Sequence, residues 1–203
     1  MSSIKILKIA LTGGIACGKT QVSNLFLELG MDIIDMDKLS REVVMPNSIA
    51  LAELQDVFSS DIIQKDGFLD RTKLRQILFS DKTAKTTIEN ILHPKIIELM
   101  QQKIQKLSAK IVIVEVPLLL EKNLQFLFDK FIVVDCDEQY QLQRLQTRDL
   151  LSKKEAENIL KQQISQQDRL SFAKQDNVFL IKNNTDLDNL KKQVQSIFKR
   201  LTI

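Results

Sequence analysis

The chain has 203 residues and a formal net charge of +3, with 44% hydrophobic and 27% charged side chains, the make-up of one ordinary globular domain. Its charge is too small, and its Lys and Arg too scattered, for a nucleic-acid surface, and no apolar run approaches a membrane span. Two cysteines, Cys17 and Cys136, with no metal-ligand neighbours in sequence point to a reducing, cytoplasmic setting.

Strand-like runs follow one another at 4–11 (starting at Ile4), 32–35, 110–116, 130–136 and 178–182, with helical patterns between them. That alternation predicts a parallel five-stranded α/β sheet flanked by helices. A first strand starting so early leaves no room for a cleavable leader. Leu187, Leu190, Val194, Ile197, Phe198 and Leu201 fall on one face of a C-terminal helix that should cover the sheet. Two stretches stand outside the alternation. Residues 45–108 carry helical patterns alone, a longer connection than an ordinary crossover, and are read as an inserted acceptor-binding subdomain. Within them His93-Pro94 interrupts a helical pattern, where proline is expected to break the helix. Residues 149–174 are polar and Gln-rich, with a thin stripe of Ala156, Ile159, Leu160 and Ile164, and are read as a mobile lid.

The chemistry starts where the first strand ends. Gly13-Gly14-Ile15-Ala16-Cys17-Gly18-Lys19-Thr20 fits G-x-x-x-x-G-K-[ST] between a strand-like run and a helix-like run of Val22, Leu25, Phe26 and Leu29. This is the setting a phosphate-binding loop needs. Gly13 and Gly18 allow the backbone to curl. Successive N–H groups and the helix N-terminus then attract phosphate. Lys19 reaches the β- and γ-phosphates, and Thr20 offers its hydroxyl to Mg²⁺. Cys17, at a helix N-terminus, is expected to be a low-pKa thiol open to alkylation in the empty loop.

Asp35-Met36-Asp37 follows the second strand, at the edge of the sheet where ligands gather. A kinase needs a carboxylate beside the acceptor hydroxyl. Asp37 is the candidate base and Asp35 the candidate metal support; the competing use of Asp37 is as N-cap of a helix over 38–44. Arg144 and Arg148, four apart, share a helix face and are candidates to neutralise charge on the transferring phosphoryl. Glu115 ends the third strand and could order Mg²⁺ through water.

Taken together, the pattern resembles the dephospho-coenzyme A kinases. The matching segments are Leu11-Thr12-Gly13-Gly14-Ile15 with Gly18-Lys19-Thr20, Ile34-Asp35-Met36-Asp37 with Arg41, and Leu69-Asp70-Arg71 with Leu74-Arg75. Further on come Leu92-His93-Pro94, Val116-Pro117-Leu118-Leu119-Leu120-Glu121, and Gln143-Arg144-Leu145 with Arg148-Asp149. The resemblance implies a P-loop kinase core like that of nucleotide monophosphate kinases. It implies transfer of the ATP γ-phosphate to the ribose 3′-hydroxyl of dephospho-coenzyme A, with Mg²⁺. A monomer or weak homo-oligomer is the separate expectation for assembly. The family's proposed base falls on Asp37, its helical insert embraces the acceptor, and its Arg-bearing lid closes over ATP. The chain departs from the family at Ala173-Lys174, where Ala-Asp is usual, and at Thr185, where a Gly usually follows two residues after Asn183.

Three other readings share the loop. A nucleoside monophosphate kinase would lack the His-Pro and Pro-Leu-Leu segments. A GTPase switch would need a Lys within Asn183-Asn184-Thr185-Asp186 and a D-x-x-G that none of the five glycines provides. A nucleic-acid motor would need more than Glu115 for hydrolysis.

Overall fold

The computed structural model describes residues 6–81 and 83–203, without the side chain of Phe79. Ile4 and the start of the expected 4–11 strand lie outside the described residues. The described residues form two compact units, one of residues 6–34 with 108–203 and one within residues 35–107.

The first unit is built on a sheet of β1 (Leu7–Gly13), β2 (Asp32–Asp35), β3 (Ile111–Glu115), β4 (Lys130–Asp135) and β5 (Val178–Lys182) in the order β2-β3-β1-β4-β5. Strand β1 pairs in parallel with β3 on one side, Ile9 opposite Ile113, and with β4 on the other, Leu11 opposite Ile132. Strand β5 extends the sheet in parallel from β4. The order therefore reverses at β1, and the crevice beyond its carboxyl end is where a ligand site forms in such sheets. Because β1, β3 and β4 are covered on both faces, they read as continuous apolar runs rather than alternations. Ile9, Ala10, Leu11, Val112, Ile113, Val114, Ile132, Val133 and Val134 are fully buried.

Helix α1 (Lys19–Glu28) and helix α9 (Leu187–Thr202) pack together and onto the sheet. Val22 and Phe26 from α1 join Leu190, Val194, Ile197 and Leu201 from α9 in one core with Ile9, Leu11, Ile132 and Ile181. Burying side chains of this size contributes about 1.5–3 kcal/mol each. Leu187, expected on that face, is exposed at the helix start.

The second unit contains α2 (Met36–Glu42), α3 (Ile49–Phe58), α4 (Arg71–Ser80) and α5 (Ala84–Gln105). Side chains cap three of these: Asp35 for α2, Ser48 for α3 and Asp70 for α4. Pro94 does not break α5, contrary to the expectation from sequence. The helix runs through it for 22 residues. Losing one backbone bond and accommodating the ring costs ~3 kcal/mol. Ile88, Ile96, Met100 and Ile104 are all buried on α5, and that burial outweighs the local penalty. Lys95 and Lys103 of α5 also reach Glu53 of α3 and Glu42 of α2, at 2.6 and 2.7 Å.

Helices α6 (Glu138–Asp149), α7 (Lys153–Lys161) and α8 (Gln166–Phe172) return to the first unit. They carry both candidate arginines and the expected lid.

Candidate active site

Two of the loop glycines are sterically obligatory. Gly13 has φ +149°, and a Cβ there would lie 2.0 Å from the Val134 carbonyl oxygen of β4. Gly18, the N-cap of α1, has φ +95°, and its Cβ would lie 2.4 Å from Asn183 Nδ2. Both a left-handed backbone and a close neighbour exclude any side chain.

Between them, five consecutive carbonyls are each engaged by a donor. Lys19 Nζ donates to Gly13 O and Gly14 O, both at 3.1 Å. Gln141 Nε2 donates to Ile15 O at 2.8 Å, Arg144 Nη1 to Ala16 O at 3.1 Å, and Asn183 Nδ2 to Cys17 O at 2.8 Å. The loop is thus fixed from α1, from two positions one turn apart on α6, and from the end of β5. Gly18 gives α1 no side-chain cap. The helix N-terminus keeps N–H groups that an anion can satisfy.

Beside the loop is a cleft of about 370 Å³ lined by Ala16, Gly18, Lys19, Thr20, Arg144, Thr147 and Arg148. Six of the ten residues expected to contact the nucleotide (Ala16, Gly18, Lys19, Thr20, Arg144 and Arg148) therefore converge on one space. Gly13, Gly14, Ile15 and Cys17 shape the loop without lining the cleft. The two arginines differ sharply. Arg144 is held, since its Nη2 also donates to Asn183 O at 3.0 Å and its guanidinium lies 5.8 Å from the Tyr140 ring centre. Arg148 is exposed and forked onto its neighbour Asp149 by two 2.8 Å bonds. That pairing raises the Arg148 pKa and holds the Asp149 carboxyl below its usual range.

Cys17 is fully buried, so its thiol is not open to alkylation from the loop as expected. It packs into the core, where Cys136 Sγ lies 2.6 Å from its sulfur. The hydrogen bond from Cys136 is what chiefly lowers the Cys17 pKa, against the opposing effect of burial. The same bond and burial push Cys136 up.

Asp35 and Asp37 begin the helical unit. The N-cap of α2 is Asp35, not Asp37, and the helix spans 36–42 rather than 38–44. Asp35 Oδ1 accepts from the N–H groups of Asp37 and Lys38 at 2.9 and 3.1 Å, and Oδ2 lies 3.7 Å from Lys38 Nζ. Asp37 is exposed in the first turn of α2. Capping of α2 thus falls to Asp35 and not to Asp37. Glu115 is buried at the end of β3.

Sequence reasoning missed Gln141, Gln163, Arg169 and Asp135. Arg169 of α8 is buried and bonds Asp135 Oδ1 at 3.2 Å and Ile164 O at 2.8 Å. Gln166 reaches Asp135 Oδ2 at 2.8 Å. The expected lid is therefore of two kinds. Its later part, from Gln163 to Arg169, is fastened to β4 and the loop. Its earlier part, α7, is set off by Leu150 at φ +53° and started by a Ser152–Glu155 capping box.

Comparison with known proteins gives a consistent result. The family model described as Dephospho-CoA kinase matches residues 7–189. The dephospho-CoA kinase of Photobacterium profundum is 40% identical over 192 residues, covering 95% of this chain and 94% of that protein. Among solved structures, the dephospho-CoA kinase from Campylobacter jejuni superposes with a TM-score of 0.68 at 30% identity, covering 96% of each chain. A Thermus thermophilus protein superposes with a TM-score of 0.81 at 25% identity, covering 98% of this chain and all of that one.

Proposed function

This chain belongs to the dephospho-CoA kinase family and is an ATP-dependent kinase of coenzyme A biosynthesis, and from that premise we propose how its residues divide the work. The reaction moves the γ-phosphoryl of ATP to the ribose 3′-hydroxyl of dephospho-CoA, giving CoA and ADP. The observation that carries the proposal is the run of engaged carbonyls from Gly13 to Cys17. A loop already fixed in one shape spends no binding energy on ordering itself, and it presents its donors where charge collects during transfer. Lys19 meets the β/γ-phosphates from within that loop. Arg144, bound to two carbonyls, maintains the loop and borders the nucleotide. Arg148 exchanges Asp149 for the transferring phosphoryl as α7 closes, with Leu150 as the hinge and 163–169 as the fixed base.

Magnesium is held in such sites by phosphates, water and one or two protein oxygens. Oxygen donors meet that demand in kind: Thr20, which lines the cleft, would offer its hydroxyl, and Asp35, whose Oδ1 caps α2 and whose Oδ2 lies 3.7 Å from Lys38 Nζ, would give support through water. The metal neutralises phosphate charge when bound. Asp37 accepts the proton of the acceptor hydroxyl, and residues 45–108 receive the acceptor. The two reduced cysteines favour a cytoplasmic enzyme, working as a monomer or weak homo-oligomer.

Asp37→Asn tests the assignment of the base. Because Asp35 carries the cap, the substitution should leave thermal stability and Mg·ATP affinity nearly unchanged, while kcat falls about 10²- to 10⁴-fold. A variant that retains wild-type kcat removes Asp37 from the chemistry.

A further inference from the structure

The peptide of Ile15 is gripped on both sides. Its carbonyl accepts from Gln141 of α6 at 2.8 Å, and its N–H donates to Gln163 Oε1, also at 2.8 Å. Gln163 lies 148 positions away in sequence, in the turn between α7 and α8, and no motif of the chain announces it. The turn itself is tightly bound. Arg169 Nη1 donates to Ile164 O, Ile164 N–H donates to Glu121 Oε1 at 3.3 Å, and Gln166 bridges Asp135 Oδ2 and Cys136 O. Beneath the loop, a Cβ on Gly14 would come within 3.0 Å of Arg169 Nη2.

Stability alone does not account for this arrangement. The Arg169–Asp135 pair is buried on both sides, and Arg169 Nε has no hydrogen-bond partner. A buried ion pair seldom exceeds apolar packing in stability, and an unmatched donor subtracts from it. What the pair does supply is a rigid base that sets Gln163 at a fixed height under Ile15. The contact reaches the loop one residue before Ala16, which borders the nucleotide cleft.

We propose that Gln163 is a positioning residue for ATP: it locks the Ile15 N–H, and through it the bend of the phosphate loop, to the fixed base of the lid. This rests on the reading of the loop as the seat of the triphosphate. Gln163 acts through the loop and touches neither nucleotide nor acceptor, so its loss alters ATP binding and leaves acceptor use alone.

The test compares wild type with Gln163→Leu, which removes the acceptor oxygen, and Gln163→Glu, which restores one. Three quantities are read: amide exchange at Ile15 by NMR, the Kd for Mg·ATP, and KM for dephospho-CoA at saturating ATP. Gln163→Leu should speed Ile15 exchange at least tenfold, weaken Mg·ATP about tenfold and leave the dephospho-CoA KM within about twofold. Gln163→Glu should restore slow Ile15 exchange, which a general loosening of α7 and α8 would not. Unchanged Ile15 exchange or unchanged Mg·ATP affinity in Gln163→Leu overturns the positioning role, as does an equal loss in the acceptor KM. Failure of the wild-type enzyme to bind Mg·ATP would instead overturn the reading of the loop, and the proposal with it.

Discussion

Lys19→Met removes the ammonium and keeps most of the apolar stem. In the structure that ammonium bridges Gly13 O and Gly14 O at 3.1 Å each, and Lys19 lines the cleft beside the loop. Two separable losses follow. Charged hydrogen bonds are worth about 1.5–3 kcal/mol when well shielded. Lys19 is half-buried, so about 1–2 kcal/mol in total is the reasonable range, a fall in Tm of roughly 2–8 °C for a chain of this size. On the proposed reading the catalytic loss is larger, because the same charge would meet the negative charge that grows on the β/γ-phosphates. Losing one preorganised donor of that kind costs about 10²- to 10³-fold in turnover, and a full positive charge belongs at or above the upper end. Coupled ADP-release kinetics at saturating ATP and dephospho-CoA measure the second effect, and thermal melts the first. A folded Lys19→Met enzyme with near-normal turnover at saturating ATP would show that the Lys19 charge does not stabilise the transferring phosphoryl. A large Tm loss with intact turnover would make Lys19 a loop brace alone.

Arg148→Ala should lower kcat by at least tenfold while changing Mg·ATP affinity much less, because the guanidinium meets charge that is greatest in the transition state; hydrogen exchange over α7 should slow when an ATP analogue and dephospho-CoA are both bound, and equal exchange in both states would contradict closure. Asp149→Asn frees Arg148 from an exposed pair and should raise kcat by about two- to fivefold, with Mg·ATP affinity little changed. Since Arg148 depresses the Asp149 pKa, the pair's contribution is complete above the ordinary carboxylate range and is lost as pH falls through the lowered value; the difference between Asp149→Asn and wild type should therefore be flat from pH 6 to 8, and a slope across that window would show that another group controls Arg148.

Sequence legibility followed the range of the interactions. The phosphate loop was readable because every requirement it meets is local: glycines at positive φ, a strand before and a helix after. Strands β3 and β4 were readable for the same reason, as apolar and largely β-branched runs, whereas β2 shows only Ile33-Ile34 between two aspartates. The D-x-D pair was ambiguous because Asp suits both a cap and a base, and two residues of shift in the helix start decide between Asp35 and Asp37 as the cap. Pro94 shows a local rule overridden. Its penalty is fixed by the chain, whereas the burial of Ile88, Ile96, Met100 and Ile104 depends on partners in α2, α3 and α4. Gln141, Gln163 and Arg169 were invisible for a different reason. Glutamine carries no chemical signature, and contacts spanning 126 and 148 positions leave no spacing to recognise. For Gln141 one hint existed: it lies three residues before Arg144, on the same helix face.

The central claim is that this fixed loop serves a kinase whose acceptor is the ribose hydroxyl of dephospho-CoA. Its most direct test is purified enzyme with Mg·ATP, given in parallel dephospho-CoA, a panel of nucleoside monophosphates, or no acceptor, with ADP followed over time and the phosphorylated product located by mass spectrometry and ³¹P NMR. Rapid ADP release is expected with dephospho-CoA alone, with a product carrying one new phosphate on the 3′-oxygen. Faster ADP release with a nucleoside monophosphate, or equal release with no acceptor, would contradict it.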